Sequence, residues 1–141
     1  MAESFIVGNE DMADGANIKI LITDDHRLFR ETLRMVLQSR ADLQVIGEAE
    51  NGQVAVRKAR EFCPDVVLMD ISMPVLGGVD ATRQIRNACP KTKVIALSNQ
   101  TEEFYVQEMM DAGAADYLTK SDNIKDIERS IRDACSRNGS E

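Results

Sequence analysis

Five times between Ile18 and Ala134, a short run of apolar residues gives way to a stretch in which apolar residues recur three and four apart. No other feature restricts the fold so tightly. The runs "IKILI" (18–22), "QVIGEAE" (44–50), "VVLM" (66–69), "KVIAL" (93–97) and "DYLT" (116–119) read as strands. Between and after them, helical stripes are predicted through Phe29, Leu33, Val36 and Leu37; Ala55, Ala59 and Phe62; Val79, Thr82 and Ile85; Val106, Met109 and Met110; and Ile124, Ile127, Ile131 and Ala134. Pro64 and Pro90 stand just beyond the second and third helices, Gly113 is a C-cap signal, and Asn51-Gly52 is a turn signal. Strands alternating with helices through short connections imply a parallel sheet covered by helices on both faces. "VVLM" does not alternate, as expected of a strand buried on both sides. Right-handed crossovers then favour a doubly wound five-stranded sheet of order 2-1-3-4-5.

The 141 residues are enough for one core, expected over 18–136, with a flexible N-terminal tail at 1–17 and a C-terminal tail at 137–141. No run of about 18 apolar residues is present to span a membrane. The N-terminal stretch lacks the basic, apolar and small-residue order of a signal peptide. A net charge of −7 argues against a direct grip on nucleic acid, which needs cations to neutralise phosphates. Cys63, Cys89 and Cys135 are far apart in sequence, odd in number and without a CxxC pair, so reduced thiols in a cytoplasmic protein are expected. One histidine gives a zinc site little to build from.

In such a sheet, ligands bind beyond the C-terminal strand ends, near the point where the strand order reverses. Standing there are Thr23-Asp24-Asp25 after the first strand, Asp70 after the third, Ser98 at the end of the fourth and Lys120 after the fifth. The first and third strands are neighbours in this order, so three carboxylates converge. Two unit charges about 4 Å apart repel by roughly 4 kcal/mol at an effective dielectric near 20. The cluster therefore calls for a cation, and an open all-oxygen donor set suits Mg²⁺. Carboxylates, a metal ion, an ammonium and a hydroxyl together would hold a phosphoryl group, and an aspartate can accept one covalently. Asp70, on the central strand, is the best-placed acceptor.

The motifs "DDH" (24–26), "DVVLMDISMPVLGG" (65–78), "VIALS" (94–98) and "DYLTKS" (116–121) resemble, in order and spacing, those of the receiver domain of two-component response regulators. The resemblance covers about residues 18–135 and implies the flavodoxin-like receiver fold. It implies that Asp70 is the phosphoacceptor, Asp25 a direct Mg²⁺ ligand, Asp24 a ligand acting mainly through water, and Ser72 a donor of its backbone carbonyl. It assigns Ser98 and Lys120 to the phosphoryl oxygens. Tyr117 matches the aromatic that moves with the switch hydroxyl, coupling the site to the surface of the fourth helix, fifth strand and fifth helix. The implied partner is a sensor histidine kinase, and the implied protein is a regulatory domain that dephosphorylates itself rather than a turnover enzyme. "DDH" and "LTKS" resemble receivers with a LuxR-type helix-turn-helix output. DNA would then be bound only through a domain beyond these residues, and a phosphorylation-dependent homodimer is expected. The other reading is a stand-alone receiver working by protein contacts or as a phosphorelay intermediate.

Some residues depart from the family pattern. Ser121 stands where proline is common, Asn99 is larger than the usual neighbour of the switch hydroxyl, and Ser72 and Gln100 occupy positions that tune hydrolysis. Simpler roles compete as well: Asp24, Asp25 or Ser98 could cap helices, Lys120 could be a solvated cation, and His26 could open the first helix without chemistry. The methionines, Met109 and Met110 among them, are expected to pack. A haloacid-dehalogenase-type hydrolase would need an acid where Ser72 stands, and a nucleotide or flavin module a glycine-rich loop where "TDDHRLF" stands.

Overall fold

The structure, a computed structural model, describes residues 17–139 and the side chains of 17–136. Residues 1–16, within the expected tail, lie outside that range. Five strands, β1 (Ile18–Thr23), β2 (Leu43–Ala49), β3 (Val66–Met69), β4 (Lys93–Ser98) and β5 (Asp116–Thr119), alternate with five helices. These are α1 (Arg27–Gln38), α2 (Gly52–Phe62), α3 (Gly78–Ala88), α4 (Glu103–Ala112) and α5 (Ile124–Gly139). All strand pairs are parallel and the order is β2-β1-β3-β4-β5, as the alternation requires. The last helix continues to Gly139, three residues past the expected domain boundary at 136.

Side chains alternate across a strand, so each strand feeds two cores. On one face Leu21, Val67, Met69, Val94 and Ala96 pack with Ala55, Val56 and Ala59 of α2, Ala81 and Ile85 of α3 and Met109 of α4. On the other, Ile20, Ile22, Val66, Leu68, Ile95 and Leu97 pack with Leu33 and Leu37 of α1 and Ile127, Ile131 and Ala134 of α5. All four residues of β3 are buried. Each such side chain contributes about 1.5–3 kcal/mol relative to exposure, which makes the central strands rigid posts for the polar residues at their C-terminal ends.

Three sequence readings change. Asn51-Gly52 does not form a free turn: Asn51 is the N-cap of α2, its side-chain oxygen accepting the Val54 N–H at 2.9 Å, and Gly52 opens the helix. Phe62, expected in the core stripe, is 48% exposed, because α2 ends there in a left-handed residue, Cys63, and its last turn overhangs the buried Ala55, Val56 and Ala59. Met110 is 41% exposed beside a fully buried Met109, and Met35 is exposed on α1. The stripe that α4 buries is narrow, running through Met109 and Ala112. Gly113 does end α4 in the left-handed region, at φ 111°.

Two close approaches hold the loop after β3. A Cβ at Gly78 would collide with the carbonyl oxygen of Asp70, and one at Gly52 with that of Leu76. The Gly78 N–H donates to the Ile71 carbonyl at 2.8 Å and the Gly52 N–H to the Leu76 carbonyl at 2.9 Å, so the loop is pinned at both ends. Between them Val75 sits at φ 70°, a strained conformation for a β-branched residue.

Candidate functional site

The parity that fills the cores also sorts the site. Ile20 and Ile22 face α1 and α5, and Asp24 continues their row; Val66 and Leu68 do the same, and Asp70 continues theirs. Leu118 lies in that core too, and Lys120 is two residues on. The backbone fixes these positions: the Asp24 N–H donates to Ala49 O at 3.0 Å, the Asp70 N–H to Thr23 O at 3.1 Å and the Lys120 N–H to Ser98 O at 3.1 Å.

Asp24 and Asp70 are almost wholly buried, at 1% and 3% exposure. Lys120 Nζ lies 2.7 Å from Asp24 Oδ2 and 3.1 Å from Asp70 Oδ2, and 5.0 Å above the Phe29 ring. The second Asp70 oxygen, Oδ1, accepts the Ile71 N–H at 2.7 Å. Asp25 is more open, its carboxylate reaching His26 Nδ1 at 3.3 Å. The expected convergence of Asp24, Asp25, Asp70 and Lys120 is therefore present. Burial, followed by the charge of Asp24, pushes the Asp70 carboxyl above the usual carboxylate range, and Lys120 only partly offsets this. Burial works against the Lys120 charge, but the hydrogen bonds to Asp24 and Asp70 outweigh it and hold the ammonium pKa above its ordinary value.

Carboxylate oxygens of Asp24, Asp25 and Asp70 and a ring nitrogen of His26 all lie within 4.8 Å of one another. Three acids facing one ammonium leave a negative excess, and the oxygen-rich donor set fits a hard divalent ion such as Mg²⁺. Ser72 is exposed, and its hydroxyl accepts from Gln100 Nε2 at 3.3 Å. A hollow of about 370 Å³ borders the site, lined by His26, Phe29, Asn99, Lys120 and Ser121.

Ser98 and Tyr117 belong to the other face. Ser98 follows Val94 and Ala96 in parity, and Tyr117 packs against that same core. Ser98 is 1% exposed and its Oγ accepts the Gln100 N–H at 3.1 Å, while the Tyr117 hydroxyl donates to the Gln100 carbonyl. Gln100, read from sequence only as a tuning position, thus joins Ser98 and Tyr117 through its backbone. Nothing in the sequence signals a main-chain link of this kind.

The capping alternatives fail. The N-cap of α1 is His26 and that of α4 is Glu102, neither with a side-chain cap bond. Asp24 Oδ1 instead accepts the His26 N–H at 2.9 Å, a local turn that carries His26 back over the acids.

Comparison with known proteins gives a consistent picture. The model of the response regulator receiver domain matches residues 20–132. The response regulator GacA of Pseudomonas syringae pv. syringae is 41% identical over 115 residues, 82% of this chain and 54% of that protein. The transcriptional regulatory protein LnrK of Bacillus subtilis is 43% identical over 114 residues, 81% of this chain and 52% of that one. The chain thus spans about half the length of these relatives. Among solved structures, a LuxR-family two-component response regulator from Aurantimonas sp. aligns with a TM-score of 0.76 at 31% identity, over 82% of this chain and 86% of that one.

Proposed function

The chain belongs to the response regulator receiver domain family of two-component systems, and on that footing we propose that Asp70 accepts a phosphoryl group from the phosphohistidine of a sensor kinase. The carrying observation is that Asp24, Asp25, Asp70 and Lys120, from three separate strand ends, meet in one small volume, with Asp24 and Asp70 buried and Asp25 open to solvent. A carboxylate oxygen of Asp70 would attack phosphorus while the P–N bond breaks; the imidazole nitrogen keeps that electron pair and gains a proton. Lys120, already on Asp70, is positioned to pair with one phosphoryl oxygen, and the Ser98 hydroxyl is the donor for another. Mg²⁺, held by Asp24, Asp25, Asp70 and the Ser72 carbonyl, would neutralise charge on the phosphoryl oxygens. Asp70 later loses the group to water, so the domain resets itself without being a turnover enzyme.

The switch would run through Gln100. When Ser98 Oγ turns toward the phosphoryl group it gives up the Gln100 N–H, and Gln100 releases Tyr117 from its carbonyl. That frees the surface of α4, β5 and α5 to change, with pairing of two copies as one consequence. Relatives about twice as long, one of them a transcriptional regulatory protein, support an output on transcription through a DNA-binding segment outside these residues. Among the described residues no helix is long and apolar enough to cross a membrane.

Incubation with phosphoramidate or acetyl phosphate and Mg²⁺ tests the acceptor. One phosphoryl group should add to the intact mass, labile to both acid and base, and Asp70→Ala should add none. Persistent stoichiometric labelling of Asp70→Ala would remove the assignment.

A further inference from the structure

His26 takes no part in the proposed phosphoryl transfer, yet it stands inside the site. Its Nδ1 lies 2.9 Å from Asp24 Oδ1, 3.3 Å from Asp25 Oδ1 and 3.3 Å from Lys120 Nζ. No single protonation state of that nitrogen suits all three neighbours. With a proton, Nδ1 can donate to one carboxylate but then faces the ammonium, another donor. Without one, it can accept from Lys120 but turns its lone pair toward two carboxylate oxygens. A divalent ion settles the two carboxylate contacts, because it takes lone pairs from the nitrogen and from both acids together, and Lys120 keeps its acceptors on Asp24 and Asp70.

The spacing agrees. Ligands about 2.1 Å from an octahedral ion sit about 3 Å apart when adjacent. Nδ1 meets Asp24 Oδ1 and Asp25 Oδ1 at 2.9 and 3.3 Å, and the Asp70 carboxylate lies within the same 4.8 Å cluster. The local turn made by the His26 N–H on Asp24 Oδ1 holds the backbone of His26 against the acids. The ring is 65% exposed, so it reaches the site from the solvent side rather than by filling the core.

We propose that His26 is a nitrogen ligand of the metal ion in this site, and that it turns an oxygen site suited to Mg²⁺ into one that prefers Mn²⁺, Co²⁺ or Ni²⁺. The inference rests on the metal reading under Proposed function. Imidazole nitrogen is a softer donor than carboxylate oxygen and raises affinity for later first-row ions far more than for Mg²⁺.

Pulsed electron paramagnetic resonance of Mn²⁺ bound to the 141-residue chain reads the ligand directly. A hyperfine coupling from one bound imidazole nitrogen is expected, absent in His26→Gln. Calorimetric titration should show Ni²⁺ affinity falling about tenfold or more in His26→Gln while Mg²⁺ affinity stays within about twofold. Bound Mn²⁺ without nitrogen coupling, or equal Ni²⁺ affinity in the two proteins, would overturn the role of His26 and leave the carboxylate site standing. Absence of any divalent binding by the unmutated chain would overturn both.

Discussion

At the C-terminal edge of the sheet, Asp24, Asp25 and Asp70 cluster around one ammonium; on β2, the single carboxylate of Glu48 meets two guanidinium groups. Arg30 Nε donates to Glu48 Oε1 and Arg34 Nη1 to Oε2, each at 2.9 Å. Burial alone would raise the Glu48 pKa, but the two arginines more than reverse it, and the carboxyl ends below its usual range. Asp70 ends above its own, because burial and Asp24 exceed what Lys120 supplies. Both acids lose water on folding. Glu48 recovers the loss from partners that belong to the fold, whereas Asp70 is left needing positive charge. The first arrangement contributes stability; the second gives some up, as the proposed role of holding a cation and an incoming group requires.

The contrast is broken most directly at Asp70. Because its folded pKa is raised, the stability linked to it is fully present below the ordinary carboxylate pKa and is lost as pH rises through the folded value. At neutral pH without divalent ions, Asp70→Asn should therefore stabilise the fold, by about 0.5–2 kcal/mol, while abolishing phosphorylation. The gain should vanish in acid. It should also shrink when Mg²⁺ is added, because the ion stabilises only the unmutated site. Urea denaturation with and without EDTA reads all three, and a loss of stability in Asp70→Asn at neutral pH would mean that the site is not strained by its charges.

Glu48→Gln is the mirror case. Its depressed pKa means that the contribution is present above the ordinary carboxylate pKa and disappears as pH falls through the folded value. A cost of about 1–1.5 kcal/mol is expected at neutral pH, fading toward acid. The two variants should thus move apart as pH rises. Parallel pH profiles of thermal midpoint would show that the partners, not the burial, had been misjudged.

Legibility in the sequence divides along the same line. Strands such as "VVLM" declare themselves because burial on both faces leaves no room for a polar residue. Asp24, Asp70 and Lys120 are legible as a group because strand order is a consequence of crossover handedness, and neighbouring strands bring their ends together. Phe62 misleads because periodicity does not say how far along a helix the core extends, and Met110 because it does not say how wide the buried stripe is. Asn51-Gly52 misleads because the residues that favour a turn also cap a helix. His26 carries no spacing signal at all; its place depends on the turn it makes with Asp24 and on a lysine 94 residues away. The link from Ser98 to Tyr117 uses the main chain of Gln100, to which side-chain identity is nearly blind.

Asp42, just before β2, sharpens the comparison at its weak end. Arg132 of α5 donates to it through Nε at 2.7 Å and Nη2 at 3.0 Å, a two-pronged geometry much like the pair of bonds on Glu48. The hydrogen bond from Arg132 is the main reason its pKa is lowered, so its contribution has the same sign as that of Glu48 and is lost in the same direction, as pH falls. The difference lies in exposure, 43% for the Asp42 side chain against 17% for Glu48. Water competes for the pair and salt screens it, so Asp42→Asn should cost less than about 1 kcal/mol, and less still in high salt. If Asp42→Asn proved as costly as Glu48→Gln, the number of hydrogen bonds would govern these acids rather than their distance from water. The same rule would then make Asp70, with bonds from Lys120 and the Ile71 amide, a stabilised residue, contrary to the rise in its pKa.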